Sequence, residues 1–228
     1  MNKWKSGQPD GAEVGKKDVV DALATVVKAM ANGHRLELIE LLAQGEHSVE
    51  ALAQMAGMGV TSTSAHLQVL KRAGLVATRR EGTTVHHRLA GDDVAELYTA
   101  MTRVAMGRSA VLRDRFQAFM DQPAAGPATP TIRPKDVTSD MTVIDVRPRD
   151  EYLAGHLSGA ISIPFSELPA RFGEIQSDRQ VVLYCRGRFC RFAREGATWL
   201  RDRGFQAVAM DQGVVELRAA DDVVLDAA

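Results

Sequence analysis

The chain of 228 residues contains only two cysteines and no long apolar segment. Two cysteines over this length do not form the disulfide framework of a secreted domain, so we expect a reducing cytoplasm. No apolar segment approaches the ~18 residues that a membrane span needs. The first residues, MNKWKSGQPDGAEVGKK, lack the apolar core of a signal peptide. We therefore expect a cytoplasmic protein with no membrane partner.

Net charge is also nearly absent, at −1 by formal count, but the charges are unevenly distributed. Residues 1–120 contain 15 Lys and Arg against 13 Asp and Glu, a net +2. Residues 121–228 contain 13 against 16, a net −3. The opposite signs indicate that the two halves meet different partners, and the length suffices for two small domains.

A proline-rich segment separates the two halves. The residues DQPAAGPATPTIRP (Asp121–Pro134) include four of the eight prolines, which predicts a semi-extended linker. Before it, apolar residues at helical spacing predict helices over Val19–Ala29 and His34–Ala43. We expect a flexible tail over residues 1–18, a first domain over 19–120, a linker over 121–134 and a second domain over 135–228.

After the linker in the sequence, short apolar strands alternate with helices, which predicts a mostly parallel α/β sheet. The predicted fold class is therefore a multidomain protein, with a mainly helical first domain and an α/β second domain. The predicted strands are Thr142–Asp145, Ala160–Ile163, Val181–Tyr184 and Ala207–Met210.

Two short helices joined by a glycine turn indicate a helix-turn-helix in the first half. Ser48 is a good N-cap for a helix over Val49–Met55, and Gly57–Gly59 forms the turn. The second helix is predicted over Thr61–Ala73 and ends at Gly74.

The second helix and the hairpin after it are the candidate DNA contacts. Leu67 and Leu70 are expected to face inward, which leaves small and amide side chains outward for base edges in a major groove. Strands over Leu75–Arg80 and Thr84–Leu89, joined by Glu81-Gly82-Thr83, form a wing that reaches phosphates. Residues 60–90 have a net charge of +4, although a basic face that binds protein is the alternative. The candidate DNA-binding residues are Thr61, Ser62, Thr63, Ser64, His66, Gln68, Lys71, Arg72, Arg79, Arg80 and Thr83.

Met30–Ala90 resembles the ArsR-type winged-helix repressors in the stretches HRLELIELL, SVEALA, SAHLQVLKRAGLV and RREGTTVHHRL. The resemblance implies a homodimer, built from the first and last helices, on double-stranded operator DNA with imperfect twofold symmetry. Asp92–Met120 is expected to supply the last helix through an apolar stripe, for which an intramolecular core is the alternative use. The stripe consists of Val94, Leu97, Met101, Val104, Val111 and Leu112.

Metal binding is not expected in this half. Members of the resembled family that sense thiophilic metals carry cysteines where this chain has GEHSVEAL, and residues 1–120 contain none. His86-His87 with Asp92-Asp93 suggest a zinc site, but adjacent strand residues point to opposite faces and the acids can cap the next helix. We therefore expect no metal and no other cofactor.

Both cysteines lie in one arginine-rich loop, VVLYCRGRFCRFAREG, between a predicted strand over Val181–Tyr184 and a predicted helix over Phe192–Arg203. Backbone N–H groups and the helix N-terminus favour an anion there. With three arginines nearby, the thiols should have a lowered pKa and react as thiolates. The alternative is that both cysteines are small core residues.

The segments Val143–Leu168 and Val181–Phe205 resemble the rhodanese sulfurtransferase family, most strongly in DVRPRDEYLAGHLSGAISIP. The resemblance implies that Cys185 accepts a sulfane sulfur as a persulfide from a small sulfur-containing anion or persulfide donor. It also matches Asp145, Arg147 and His156, which we interpret as ion-pairing residues that brace the loops. Gln212 and Leu217 depart from the family pattern near the C-terminus. The candidate catalytic loop consists of Cys185, Arg186, Gly187, Arg188, Phe189, Cys190 and Arg191.

Cys190 allows two interpretations of this loop. A second thiol five residues away can resolve a persulfide on Cys185 into a disulfide or polysulfide, or it can simply pack at the helix start. The spacing of Cys185 and Arg191 also fits cysteine phosphatases and arsenate reductases. The YCRG-x-aromatic-C loop resembles the variant found where rhodanese modules are fused to ArsR-type repressors.

The leading hypothesis is a cytoplasmic, homodimeric repressor that senses reactive sulfur through Cys185, with Cys190 as a second thiol. One alternative is a sulfurtransferase, active on thiosulfate or persulfide, whose winged helix only positions it. The other is a repressor that responds to arsenic or another thiophilic ligand.

Overall fold

The computed structural model describes residues 14–121, 129–220 and 225–226. A mainly helical domain extends to Met120, and an α/β domain follows from Thr129. Among the helices of these ranges, none combines the length and the hydropathy that a membrane-spanning helix needs.

The first domain is a set of helices packed on a small antiparallel sheet, whose strands lie in the order β1-β3-β2. Its core is formed by leucines of the second and fourth helices, several of which have no solvent exposure. The elements are α1 (Lys16–Met30), α2 (Gly33–Leu42), β1 (His47–Ser48), α3 (Val49–Met55), α4 (Val60–Arg72), β2 (Val76–Glu81), β3 (Thr84–Leu89), α5 (Asp92–Arg108) and α6 (Ala110–Met120).

The helix-turn-helix is confirmed, with α3 and α4 as its two helices. Ser48 Oγ accepts a hydrogen bond from the Ala51 N–H at 3.2 Å, as an N-cap should. Gly57 and Gly74 have φ of +62° and +76°, left-handed conformations in which glycine avoids the steric cost of a side chain. The residues Leu67 and Leu70 are fully buried, as predicted.

The wing is confirmed to within a residue at each end. Glu81 pairs with Thr84 in the antiparallel ladder, so the turn consists of Gly82 and Thr83 alone. Gly82 has φ of +58°, which a tight hairpin turn requires.

The prediction of one continuous last helix is wrong, because the helix is interrupted at Ser109, between α5 and α6. Ser109 has extended backbone angles, φ −101° and ψ 110°, and its Oγ accepts from the Leu112 N–H at 3.2 Å. The serine therefore caps a new helix instead of continuing the old one. The predicted tail over residues 1–18 also differs, because α1 begins at Lys16; residues 1–13 of it lie outside the described part.

The second domain is an α/β fold, as predicted, with a parallel sheet in the order β4-β9-β8-β5-β7. A separate antiparallel pair joins β10 to β6. The elements are β4 (Thr131–Ile132), β5 (Thr142–Asp145), α7 (Arg149–Ala154), β6 (His156–Leu157), β7 (Ile161–Ser162), α8 (Leu168–Arg171), β8 (Val181–Tyr184), α9 (Phe192–Arg201), β9 (Ala207–Met210), α10 (Val214–Arg218) and β10 (Leu225–Asp226).

The predicted linker over 121–134 extends too far into the second domain. Thr131 and Ile132 form the edge strand β4, which pairs in parallel with β9. Thr129 is buried, and its hydroxyl lies 2.6 Å from that of Thr198. Residues 122–128 of the predicted linker lie outside the described ranges.

The two domains share buried contacts. Val215 of α10 is fully buried and belongs to the same apolar cluster as the leucines of α2 and α4. At the edge of this contact, Arg218 Nη1 lies 3.4 Å from Asp92 Oδ1 of α5. Part of α10 therefore belongs to the core of the helical domain.

Candidate functional site

The two cysteines are joined in a disulfide within the loop between β8 and α9. Their Cα atoms are 6.2 Å apart, so the four-residue spacer does permit closure. Cys185 is only 3% exposed and packs in the core of the α/β domain. Neither sulfur carries a proton in this form, so the lowered thiol pKa remains a prediction for the reduced protein.

The three arginines of the loop do not offer free charge to an anion, which corrects the expectation from sequence. Each guanidinium group lies against a carboxylate that is distant in sequence or one helical turn away. An anionic donor would have to displace or share these carboxylates. The pairs are Arg186 Nε with Glu151 Oε1 at 3.0 Å, Arg188 Nε with Glu216 Oε1 at 3.7 Å, and Arg191 Nη2 with Glu195 Oε1 at 2.9 Å.

The predicted cradle of backbone N–H groups is partly occupied by a carboxylate of the protein itself. Glu216 accepts from the Arg188 N–H at 3.2 Å and from the Gly213 N–H at 2.8 Å. The Cys190 N–H donates to Gly187 O at 2.9 Å. Burial raises the pKa of Glu216, because the charged form loses solvation there.

Gly213 holds the cysteine loop by close backbone contact. A Cβ atom at this position would lie 2.4 Å from Cys185 O and 2.4 Å from Gly187 N, so only glycine fits without a shift. The next two N–H groups donate to the loop, from Val214 to Cys185 O at 3.1 Å and from Val215 to Arg186 O at 2.9 Å. The start of α10 therefore fixes the path of the loop.

Asp145 and Arg147 form the bracing ion pair that we expected. Both side chains are fully buried, with Arg147 Nη2 2.6 Å from Asp145 Oδ2. Arg147 Nη2 also donates to Gly155 O at 2.7 Å. His156 braces differently: its Nδ1 lies 2.9 Å from Tyr152 O and its ring stacks on that of Tyr152.

Gln44, which sequence reasoning missed, links this brace to the cysteine loop. It follows α2 in the helical domain and is fully buried. Its Oε1 accepts from Arg147 Nη1 at 3.2 Å, and its Nε2 donates to Arg186 O at 3.2 Å. No local pattern marks this glutamine, because both partners lie more than a hundred residues further along the chain.

Apolar contacts join the loop to the helical domain as well. Phe189 packs against the core of that domain and meets Phe116 of α6 edge to face, with ring centroids 5.8 Å apart. Arg186 Nη2 lies 3.7 Å from the sulfur of Met55 in α3. The cysteine loop is therefore itself part of the domain interface.

A carboxyl group of α2 also lies beneath the loop. Glu40 Oε2 accepts from the Tyr98 hydroxyl at 3.3 Å, and a Cβ at Gly187 would lie 3.1 Å from Glu40 Oε1. Burial, with a smaller contribution from Glu216, raises the pKa of Glu40 to about 7. The pKa of Tyr98 is raised for the same main reason.

Most predicted DNA-contact residues of α4 lie on its exposed face. Thr61, Ser62, Ser64 and Gln68 are exposed, and His66 is half-buried beside His34. Thr63 does not lie on this exposed face, contrary to the prediction. It is fully buried, and its hydroxyl donates a hydrogen bond to Gly59 O at 3.1 Å.

The basic residues predicted to contact DNA, at the end of α4 and in the wing, are all exposed, but some of their side chains bind other side chains of the protein. Lys71 Nζ donates to Thr78 Oγ1 at 3.0 Å, while Arg72 is exposed at the end of α4. Arg80 and Thr83 are exposed at the wing tip. The side chain of Arg79 turns sideways, where it pairs with Glu46 at 2.8 Å and Glu81 at 2.9 Å.

The histidines and acids around the wing do not form a cluster. In the described residues, no group of three His, Cys, Asp or Glu side chains is arranged to hold a metal ion. His87 is buried opposite His47, whereas His86 lies on the other face, 3.9 Å from Glu81. The N-cap of α5 is Gly91, so Asp92 and Asp93 lie in the first turn and do not cap it.

A winged helix-turn-helix followed by a parallel α/β domain with a cysteine loop after β8 defines a transcriptional regulator with a rhodanese-like domain. A model of the arsR family of bacterial regulatory proteins matches residues 32–78, and a model of the rhodanese-like domain matches residues 133–220. The HTH-type transcriptional regulator Rv0324 of Mycobacterium tuberculosis is 42% identical over 205 residues, 90% of this chain and 91% of that protein. The chain belongs to the arsR family and carries a C-terminal rhodanese-like domain.

Solved structures match each domain separately. The homodimeric winged helix-turn-helix DNA-binding domain of Mb0332 from Mycobacterium bovis is 48% identical; the match covers 46% of this chain and 93% of that one, with a TM-score of 0.39. A rhodanese-related protein from Thermoplasma volcanium is 24% identical; the match covers 42% of this chain and 99% of that chain, with a TM-score of 0.39.

Proposed function

We propose that this regulator is a repressor whose affinity for operator DNA changes when reactive sulfur modifies Cys185 and Cys190. One observation carries the proposal: the loop that holds both cysteines contacts the helix-turn-helix domain through Gln44, Met55 and the apolar core. A sensor that is separated from its DNA-binding domain could not act this directly. Because it acts on DNA, we place the protein in the cytoplasm.

The exposed face of α4 and the wing support operator binding. Small hydroxyl and amide side chains, including Ser62 and Gln68, allow close approach to base edges in a major groove. Arg72 at the end of α4 and Arg80 at the wing tip are exposed, and we expect them to contact phosphates. A steep dependence of affinity on salt follows, since each neutralised phosphate contributes about −0.9 to the log–log slope.

Apolar exposure on the outer helices supports a homodimer. Val19 and Leu23 of α1 are 61% and 62% exposed, and Val104 of α5 and Val111 of α6 are 60% and 64% exposed. Large exposed apolar faces on a regulator are typical of an interface. We infer that α1, α5 and α6 meet the same helices of a second copy, and that the break at Ser109 shapes this surface.

The sulfur chemistry begins from the reduced protein. The Cys185 thiolate attacks the outer sulfur of a hydropersulfide, R–S–SH; the S–S bond breaks, R–S⁻ leaves and Cys185–S–SH forms. The Cys190 thiolate then attacks the inner sulfur of this persulfide and releases HS⁻. The product is the Cys185–Cys190 disulfide, whose Cα separation of 6.2 Å is compatible with this step.

The energy required for signalling is small. A tenfold change in operator affinity needs about 1.4 kcal/mol of coupling between the sites. The hydrogen bond from Gln44 to Arg186 O has a typical net value of about 1 kcal/mol. A change in loop path that weakens this bond would supply part of the coupling, and reduced packing of Phe189 would supply the rest.

Fluorescence anisotropy with the full chain tests the repressor assignment. A labelled duplex from the region upstream of its own gene should bind more tightly than a scrambled duplex of equal length. Equal affinity for both duplexes would contradict operator recognition. Polysulfide, thiosulfate, arsenite and arsenate, added separately, identify the effector; release by arsenite alone would favour the thiophilic-ligand alternative.

A transfer assay separates the sensor from an enzyme. Thiosulfate-to-cyanide transfer by the sensor should stop after at most about one sulfur per protein, because Cys190 converts the Cys185 persulfide into a disulfide, which has no thiolate to accept another sulfur. Sustained turnover would instead assign a sulfurtransferase with an accessory DNA-binding domain.

A further inference from the structure

A cavity of about 740 Å³ lies between the two domains. Its walls are mostly apolar and come from both sides, with α2, α5 and α6 opposite the cysteine loop and the start of α9. The residues that form these walls include Leu36, Leu41, Met101, Ala105, Phe119 and Phe189. The volume falls within the range of roughly 300–1,000 Å³ that is typical of small-molecule sites.

The arginines at this cavity are paired with carboxylates, and of the three glutamates that line it, Glu37 is exposed to solvent. Arg186 and Arg191 border it, but Arg186 is paired with Glu151 and Arg191 with Glu195. The carboxyl of Glu40 accepts a hydrogen bond from the Tyr98 hydroxyl, and burial raises its pKa to about 7, so about half of it is protonated at neutral pH. The cavity therefore offers the hydrogen-bonded pair of Glu40 and Tyr98 as a polar point in a mostly apolar surround.

The cavity also distinguishes the two cysteines. Cys190 lines it, whereas Cys185 is only 3% exposed and packs in the core beneath. A molecule in the cavity lies against the Cys190 side of the disulfide and against both domains at once.

We propose that this cavity binds a small, uncharged and mainly apolar organic molecule, which places one polar group against Glu40 and Tyr98. An anion is disfavoured because each arginine at the cavity already has a carboxylate partner, and the apolar walls penalise the burial of unpaired charge of either sign. This site goes beyond the proposed sulfur sensing and does not depend on it, since binding requires neither DNA nor a reactive thiol.

The test uses N-phenyl-1-naphthylamine, a neutral apolar fluorophore with a single N–H, titrated into the full chain. Saturable binding at one probe per chain is expected. Ala105→Phe places a large side chain in the cavity and should weaken the probe Kd at least tenfold. Ala118→Phe makes the same change at an exposed site that does not line the cavity, and should leave the Kd within twofold.

A second blocking variant, Thr102→Phe on the same cavity wall, covers the case in which Ala105→Phe fails to fold. Circular dichroism and thermal melting establish that each tested variant is folded. Equal probe affinity in wild type and in a folded blocking variant would overturn the proposal. Absence of saturable binding would also overturn it.

Discussion

Gln44 Oε1 accepts a hydrogen bond from Arg147 Nη1 at 3.2 Å, and neither side chain is exposed to solvent. The glutamine belongs to the DNA-binding domain and the arginine to the rhodanese-like domain. The same arginine holds Asp145, and the same glutamine holds the backbone of Arg186 beside Cys185. A single amide thus connects the sulfur loop, its bracing ion pair and the helix-turn-helix domain.

Gln44→Leu should destabilise the protein by about 1–3 kcal/mol, because it leaves Arg147 Nη1 and Arg186 O buried without this partner. Urea unfolding followed by far-UV circular dichroism measures the change. Gln54→Leu makes the same substitution at an exposed position of α3 and should stay within about 0.5 kcal/mol of wild type. Equal stability of the two variants would contradict a structural role for the Gln44 side chain.

Gly213→Ala should displace the cysteine loop, because the new methyl group would lie 2.4 Å from two backbone atoms of that loop. The expected cost is about 1–3 kcal/mol, the usual range for overpacking. Gly173→Ala is the matched control, since a Cβ there meets no atom within 4 Å. Thermal melts of both variants make the comparison, and an unchanged midpoint for Gly213→Ala would contradict the close contact.

Stability should fall as pH rises from about 4.5 to about 7, because burial raises the pKa of Glu40 to about 7 from its ordinary value of 4.5. A carboxyl with a higher pKa in the folded state binds more protons when folded, so the free energy of unfolding falls as protons are removed. Glu216, whose pKa is also raised, contributes in the same direction.

Glu40→Gln should remove the Glu40 share of this loss, which amounts to at most about 3 kcal/mol between pH 4.5 and pH 8. The variant should therefore gain stability relative to wild type as pH increases. Glu37→Gln changes an exposed glutamate on the same helix and controls for the loss of charge. Parallel stability profiles for wild type and Glu40→Gln would show that the pKa of this carboxyl is the same in the folded and unfolded protein, which would contradict a raised pKa in the fold.

Arg80→Ala should weaken binding to operator and scrambled DNA alike, and should reduce the salt slope by about one, as expected for a phosphate contact at the wing tip. Arg201→Ala removes an exposed arginine at the end of α9 in the other domain and should leave the slope unchanged. An unchanged slope for Arg80→Ala would exclude the wing tip from DNA contact.

Local patterns predicted much of this molecule. The strands Val181–Tyr184 and Ala207–Met210 and the N-cap at Ser48 lie where the sequence places them, because each depends on a short apolar run or a neighbouring hydrogen bond. The break at Ser109 also has a local cause in its side-chain cap, yet the apolar stripe that continues across it favoured one helix.

The electrostatics of the site could not be predicted in the same way. Arg186 and Arg188 are neutralised by Glu151 and Glu216, which the fold brings from 35 and 28 residues away. The sequence of the loop shows its arginines, but it does not show the distant carboxylates that pair with them. Gln44 could not be predicted for the same reason, because its hydrogen bonds to Arg147 and Arg186 form only where the two domains meet.

The most direct measurement compares the operator Kd of one reduced preparation before and after treatment with polysulfide, with the state of Cys185 and Cys190 read by mass spectrometry. We predict at least a tenfold change in Kd for wild type and less than a twofold change for Cys185→Ser. Full conversion of the wild-type cysteines with no change in Kd would contradict the coupling between the sulfur loop and the DNA-binding domain.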